Sequence, residues 1–475
     1  MIFNSLPFLA FAALFFPIYF ALKGRARLWF CLLGSYFFYG WWDWRFLSLI
    51  ITSTFVDYYI GLRLENTEDP ARRKGLLRWS ILVNLGFLGF FKYFNFFIGS
   101  FEALAHSIGW EPGFNTLHII LPVGISFYTF QSMSYTIDVY YRKIPVEHDF
   151  LRFATYISFF PQLVAGPIVR ARDFLPQFQT DKKFEWDRLI AGSGQVLWGF
   201  FKKVAVADSL APFVEQCFNA PESFSSLHLL IGVVFYSFQI YCDFSGYSDI
   251  AIGLARILGF DFPQNFRTPY FSKDFSEFWT RWHITLSSWL RDYLYIPLGG
   301  NRNGTFMTYR NLMLTMLLGG LWHGASWVFV FWGFLHGTYL VVQRLFGKHF
   351  GAFLTFLKTP GFLRTGINIF IVYTLTSLAW IFFRSPDFET AMHVLQGIAT
   401  FQDFTFASVI NKFIVLKGFI LIALLLSVEI ADFQFDFDKI LVRNPAFRVA
   451  SFAVLLWLIA FFGTFGSNAF IYFQF

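Results

Sequence analysis

Two histidines stand in apolar surroundings where packing alone has little use for an ionisable group. His323 lies in Gly319-Gly320-Leu321-Trp322-His323-Gly324-Ala325-Ser326-Trp327, between two apolar runs and beside Trp322. Imidazole changes charge near neutral pH, which suits general acid–base work, and the flanking glycines let a backbone or a substrate come close. The bland alternative is a histidine hydrogen-bonded to a neighbouring helix. His283 lies in Phe275–Tyr293, where apolar residues at 275, 278/279, 282, 286, 289/290 and 293 alternate at spacings of three and four. That spacing predicts one amphipathic helix, lying in the interface or over the mouth of a cavity. His283 falls at the edge of its apolar face beside Trp279 and Trp282, while Arg281 makes an i,i+4 pair with Glu277. An ordinary interfacial histidine fits the same pattern.

Other polar residues are candidates for lining a substrate path. His336 follows His323 by 13 residues, about 220° around a continuous helix, so it should face elsewhere and support packing. The island Tyr241–Asp249 contributes Asp243, Ser245, Tyr247 and Asp249. Its two acids would orient a histidine, line a polar passage, or pair with lysine or arginine at a helix end. Arg302, in the turn Leu298–Gly304, would meet an anionic group or cap the preceding helix.

Several chemistries lack their residues. There is no Walker A loop, no nucleophile elbow, and neither an HExxH motif nor a Cys/His zinc cluster, so no metal site is expected. Cys31, Cys217 and Cys242 are scattered and odd in number, which suits buried apolar residues and not a disulfide framework. What remains is histidine-assisted group transfer between substrates brought together in a membrane cavity.

The elements that must position these groups are membrane helices. Of 475 residues, 56% are hydrophobic and only 14% charged, against roughly 25% charged in soluble domains. A bilayer core needs about 20 apolar residues as helix, and candidate spans recur from Leu6–Leu22 through Leu189–Leu210 to Val449–Phe470. The fold expected is an all-α polytopic integral membrane protein, a single domain over 1–475. About ten to twelve crossings would ring a central cavity, with re-entrant or interfacial helices. The region 113–336, dense in Pro, Gly and ionisable residues, would surround that cavity. Loops 23–27 and 63–78 hold eight Lys/Arg, against one in 43–45 and 99–116, which places the N-terminus outside the cytoplasm. The net charge of +7 then reflects positive-inside bias. No polar basic module exists for nucleic acid.

At the stretches Phe278–Gly304 (FWTRWHITLSSWLRDYLYIPLGGNRNG) and Gly319–Trp327 (GGLWHGASW) the chain resembles the membrane-bound O-acyltransferase family, in its bacterial polysaccharide-modifying branch. Leu121–Tyr140, Phe159–Arg170, Tyr241–Gly253 and the opening MIFNSLPFL extend the resemblance over nearly the whole chain. It implies that His323 is the catalytic histidine of the family's Trp-His-Gly motif and that His283 fills the second catalytic position. It also implies an O-acetyltransferase of the cell inner membrane. The acetyl group would pass from a cytoplasmic thioester, acetyl-CoA or an acyl-carrier protein, to an extracytoplasmic hydroxyl, for modification of an alginate-like exopolysaccharide. The thioester would be a substrate, and no tightly bound cofactor is expected. The implied partners are membrane lipid, an extracytoplasmic acetyltransferase and a polysaccharide synthesis and export complex. Alternatives are D-alanyl transfer to teichoic acid from a carrier protein, a transporter or flippase, and a scaffold without chemistry.

Overall fold

The structure, a computed structural model, describes residues 1–111, 113, 117, 119–357, 359–435, 437–464, 470 and 471. Of the expected spans, residue 118 of Leu117–Val139 and residues 465–469 of Val449–Phe470 lie outside the described residues. The described residues are helices and connecting turns, with no strand among them. Seven helical stretches are long and apolar enough to cross a membrane: Gly24–Glu65, Pro70–Ser107, Ser226–Ile257, Trp327–Gly347, Gly361–Arg384, Lys412–Asp432 and Pro445–Phe462. Leu6–Ala21 is a shorter apolar helix. This is a multi-pass membrane protein. Its spans differ in surroundings: 83% of the most apolar window of Ser226–Ile257 is buried in protein, and none of that of Pro445–Phe462. The first is therefore a core element, and the second packs at the periphery of the described residues. The three cysteines are free and buried, as expected.

The chain divides into two compact units, Met1–Val196 with Ile250–Pro263, and Leu197–Asp249 with Gln264–Phe475. In the first, helix starts follow local chemistry. Ser5 caps Leu6–Ala21 by accepting from Phe8 N–H, Asp69 caps Pro70–Leu88, and Asp149 caps Phe150–Ser158; each cap takes up amides that a helix start leaves unpaired. Three of the unit's helices are tied by one buried carboxylate. Asp57, on Leu47–Glu65, accepts from Ser80 Oγ at 2.5 Å and Asn84 Nδ2 at 2.8 Å on Pro70–Leu88. It also accepts from Thr136 Oγ1 at 3.1 Å and from Ser132 Oγ on Ile125–Tyr140. A polar group at membrane depth is tolerated when its hydrogen bonds are met inside the protein.

The second unit carries every candidate site residue. Its central pair of helices is Gly304–His323 and Trp327–Phe356, separated by a break at Gly324-Ala325-Ser326. Glycine makes their close approach possible. A Cβ on Gly320 would sit 2.2 Å from the Phe329 carbonyl oxygen, and one on Gly333 would sit 2.3 Å from that of Met316.

The segment Phe275–Tyr293 departs from the single helix its periodicity predicts. It forms Phe275–Arg281 and Ile284–Leu290, followed by a π-helical turn at Arg291–Tyr295. The break falls at Trp282-His283, and His283 has φ +41°. The stretch Leu189–Leu210 is likewise interrupted, passing from the helix Trp186–Phe200 through a π-helical turn, Phe201–Ala207, into Asp208–Asn219.

Candidate active site

His323 is the last residue of Gly304–His323, only 3% exposed. His283 is fully buried. Its left-handed backbone is uncommon for a residue with a Cβ and costs of order 1–3 kcal/mol, so neighbouring structure must hold it. Asn265 does so. Its carbonyl oxygen accepts from Ile284 N–H at 2.9 Å. Its side-chain Oδ1 accepts from Thr285 Oγ1 at 2.9 Å and Thr285 N–H at 3.3 Å, and its Nδ2 donates to Ser248 Oγ at 3.1 Å. Asn265 is itself fully buried.

These constraints bring the two imidazoles together, with ring centroids 6.4 Å apart. Hydrogen-bond reach for proton transfer is about 2.6–3.2 Å from each nitrogen, and at this separation the two imidazoles are close enough to act on neighbouring atoms of one substrate. Aromatic rings close the surroundings. Trp322, Trp332 and Phe383 lie 5.1, 5.1 and 5.2 Å from His323, all edge to face. Phe244 meets His283 edge-on at 4.5 Å, and Trp322 lies 5.9 Å from it. Such walls exclude water, which strengthens electrostatic interactions inside.

His336 is nearer this cluster than a continuous helix would put it. Because the helix breaks after His323, Trp332 lies between the two imidazoles, 5.1 Å from His323 and 4.7 Å from His336. His336 is fully buried, 5.1 Å from Trp279, and stacks against Phe278 at 5.9 Å. Trp282 also stacks against Phe278, at 5.8 Å, and packs on Trp380 at 4.9 Å.

One face of Ser226–Ile257 meets this assembly at helical spacing. Tyr241 contacts Trp282 at 6.1 Å, Phe244 contacts His283, and Ser248 accepts from Asn265. Ser245 is buried on the same helix. Tyr247 is also buried and lies 4.9 Å from Phe470. The two acids are in ion pairs, the structural alternative read from the sequence. Asp243 meets Lys203 at 2.6 Å and accepts from Ile471 N–H at 2.9 Å, Lys203 also meets Asp208 at 2.8 Å, and Asp249 pairs with Lys202.

Arg281 holds Glu277 at 2.7 Å and Thr268 at 3.1 Å. Arg302 is exposed at the far end of Gly304–His323, about 30 Å along the axis from His323, so it cannot touch the same reacting atoms. Asn265, Phe244, Trp332 and Phe383 were not singled out in the sequence. Asn265 had no signal beyond being a polar residue between Pro263 and Phe266.

The membrane-bound O-acyltransferase family model matches residues 36–385. The chain belongs to this family. It is therefore a membrane-embedded acyltransferase, and the site above lies almost wholly within the matched region. The chain is 43% identical over 416 residues to a protein of Azotobacter vinelandii named "Probable alginate O-acetylase", covering 87% of this chain and 80% of that one. It is 37% identical over 433 residues to the peptidoglycan O-acetyltransferase of Helicobacter pylori, with coverage of 84% and 80%. A teichoic acid D-alanyltransferase of Bacillus subtilis is more distant, 26% identical over 292 residues, with coverage of 57% and 74%.

Proposed function

We propose that this acyltransferase moves an acetyl group from a cytoplasmic thioester to an extracytoplasmic hydroxyl, for O-acetylation of an alginate-like exopolysaccharide, with His323 as general base. The observation that carries this reading is the 6.4 Å pairing of His283 with His323 at a helix end, inside an aromatic enclosure. The names of the relatives at 37–43% identity support acetyl over D-alanyl transfer. Eight Lys/Arg in loops 23–27 and 63–78 support an extracytoplasmic N-terminus in the cell inner membrane.

In the reaction, His323 takes the hydroxyl proton as the oxygen attacks the thioester carbonyl carbon. His283 donates a hydrogen bond to the oxygen on which negative charge develops. The tetrahedral intermediate collapses, a C–O bond replaces the C–S bond, and the departing thiolate takes the proton from the His323 imidazolium. The donor, acetyl-CoA or an acyl-carrier protein, is a substrate. The immediate acceptor is the polymer or a hydroxyl on a protein that passes the acetyl on, which gives an extracytoplasmic acetyltransferase and a polymer synthesis and export complex as partners.

His323→Ala tests the assignment in cells. Acetate released from surface polysaccharide should fall to background while the variant stays in the membrane at the wild-type level. Normal acetylation by a well-inserted variant would remove His323 from the chemistry.

A further inference from the structure

The first unit holds a cavity of about 440 Å³ at the start of the span Gly24–Glu65, lined by Arg25, Arg27, Arg152 and Lys182 with Asp149 and Asp181. Four cations face two carboxylates, so the lining carries a positive surplus. How that charge is held differs from residue to residue. Arg27 is committed: it pairs with Asp181 at 3.1 Å, donates to the Leu22 carbonyl at 2.8 Å and lies over the Tyr19 ring. Asp149 is shared between Arg25 at 3.5 Å and Arg152 at 4.0 Å while also capping a helix. Lys182 is in no ion pair among the described residues; its Nζ donates to Thr180 Oγ1 at 3.0 Å and sits 4.7 Å from the centroid of Phe260. Burial, and then Arg188, push its pKa below the usual lysine range.

Two further features point to the ligand. The helix Gly24–Asp43 begins at the cavity with Lys23 as its cap residue and no side chain accepting from its first amides, which leaves donors and a positive dipole end for an anion. The cavity also lies at the depth of a span's first turn, and close by in the chain Phe184 and Trp186 are exposed (46% and 68%), as residues at a membrane–water boundary are. Phe178 and Phe260 form an apolar wall, with centroids 5.2 Å apart.

We propose that this cavity binds the phosphodiester headgroup of an acidic glycerophospholipid, with Arg25, Arg152 and Lys182 facing the phosphate and the aromatic wall against the glycerol carbons. Basic pockets at helix ends recognise anionic headgroups in this way, each cation near the surface contributing about fivefold in affinity. The site does not depend on the acyl-transfer reading.

The test is native mass spectrometry of the full chain released from nanodiscs of equal phosphatidylglycerol and phosphatidylcholine. The wild type should retain phosphatidylglycerol in preference. Arg25→Gln with Lys182→Gln should cut that preference by about fivefold per charge removed. Arg72→Gln with Lys74→Gln, two exposed cations outside the cavity, should leave it within twofold. Equal retention of both lipids by the wild type, or equal losses in the two double variants, would overturn the proposal. Displacement of the lipid by millimolar inorganic phosphate would assign the cavity to a free anion and overturn the lipid source.

Discussion

The left-handed turn at His283 makes Asn265 a positioning residue, and Asn265→Ala is the sharpest perturbation of the site that leaves both imidazoles in place. The substitution removes three hydrogen bonds made by the side chain, at 2.9, 3.3 and 3.1 Å. It leaves the backbone bond from Ile284 N–H to the Asn265 carbonyl. At about 0.5–1.5 kcal/mol net each, the loss is about 1.5–4.5 kcal/mol. That compares with about 1–3 kcal/mol stored in the turn, so the turn is free to relax and carry His283 away from its place beside His323. Loss of one donor to a developing oxyanion typically costs 10²–10³ in rate, and Asn265→Ala should approach that cost with little change in KM. The assay is thiol release from an acetyl thioester by the purified enzyme in detergent, run as a double-mutant cycle with His283→Ala. Residues acting as one unit are not additive, so the double variant should be no slower than His283→Ala alone. Full activity of Asn265→Ala, or additive losses in the cycle, would refute the claim that Asn265 acts through His283.

Other outcomes follow from the same geometry. Gly320→Ala places a methyl 2.2 Å from the Phe329 carbonyl oxygen and should force Gly304–His323 and Trp327–Phe356 apart, lowering the melting temperature and the rate together. An unchanged melting temperature would show that the helices are not so closely seated. Lys203→Met leaves Asp208 and Asp243 buried without their cation and should cost about 3–5 kcal/mol, read as protease resistance in membranes. Adding Asp208→Asn and Asp243→Asn should recover most of the loss, and no recovery would contradict the ion-pair account. Because a general base must be neutral to accept a proton, kcat/KM should fall on acidification, and that limb should vanish from the residual rate of His323→Gln.

Much of the site was legible because membrane depth makes ionisable residues conspicuous. His323 and His283 stood out against apolar runs, and the structure brings them together. The helical fold followed from composition. Less legible was the path of the backbone between them. Phe275–Tyr293 contains no glycine or proline, and its three-and-four periodicity runs unbroken. The break at His283 is imposed from outside by Asn265, and no local rule carries a tertiary hydrogen bond. A continuous helix would put His336 on another face. The break at Gly324-Ala325-Ser326 instead puts Trp332 between it and His323. For Asp243 and Asp249 the sequence leaves open whether they orient a histidine, line a polar passage or pair with a cation. Their partners, Lys203 and Lys202, lie some 40 residues upstream on a π-helical turn that periodicity does not forecast.

The central claim is that a histidine at the end of Gly304–His323 takes the proton of the attacking hydroxyl. It is tested most directly by single-turnover transfer in proteoliposomes, with a radiolabelled acetyl thioester on one side of the bilayer and the hydroxyl acceptor on the other. His323→Gln should lower the transfer rate by about 10²–10⁴ while donor binding and melting temperature stay at wild-type values. Transfer at the wild-type rate by that variant would contradict the account.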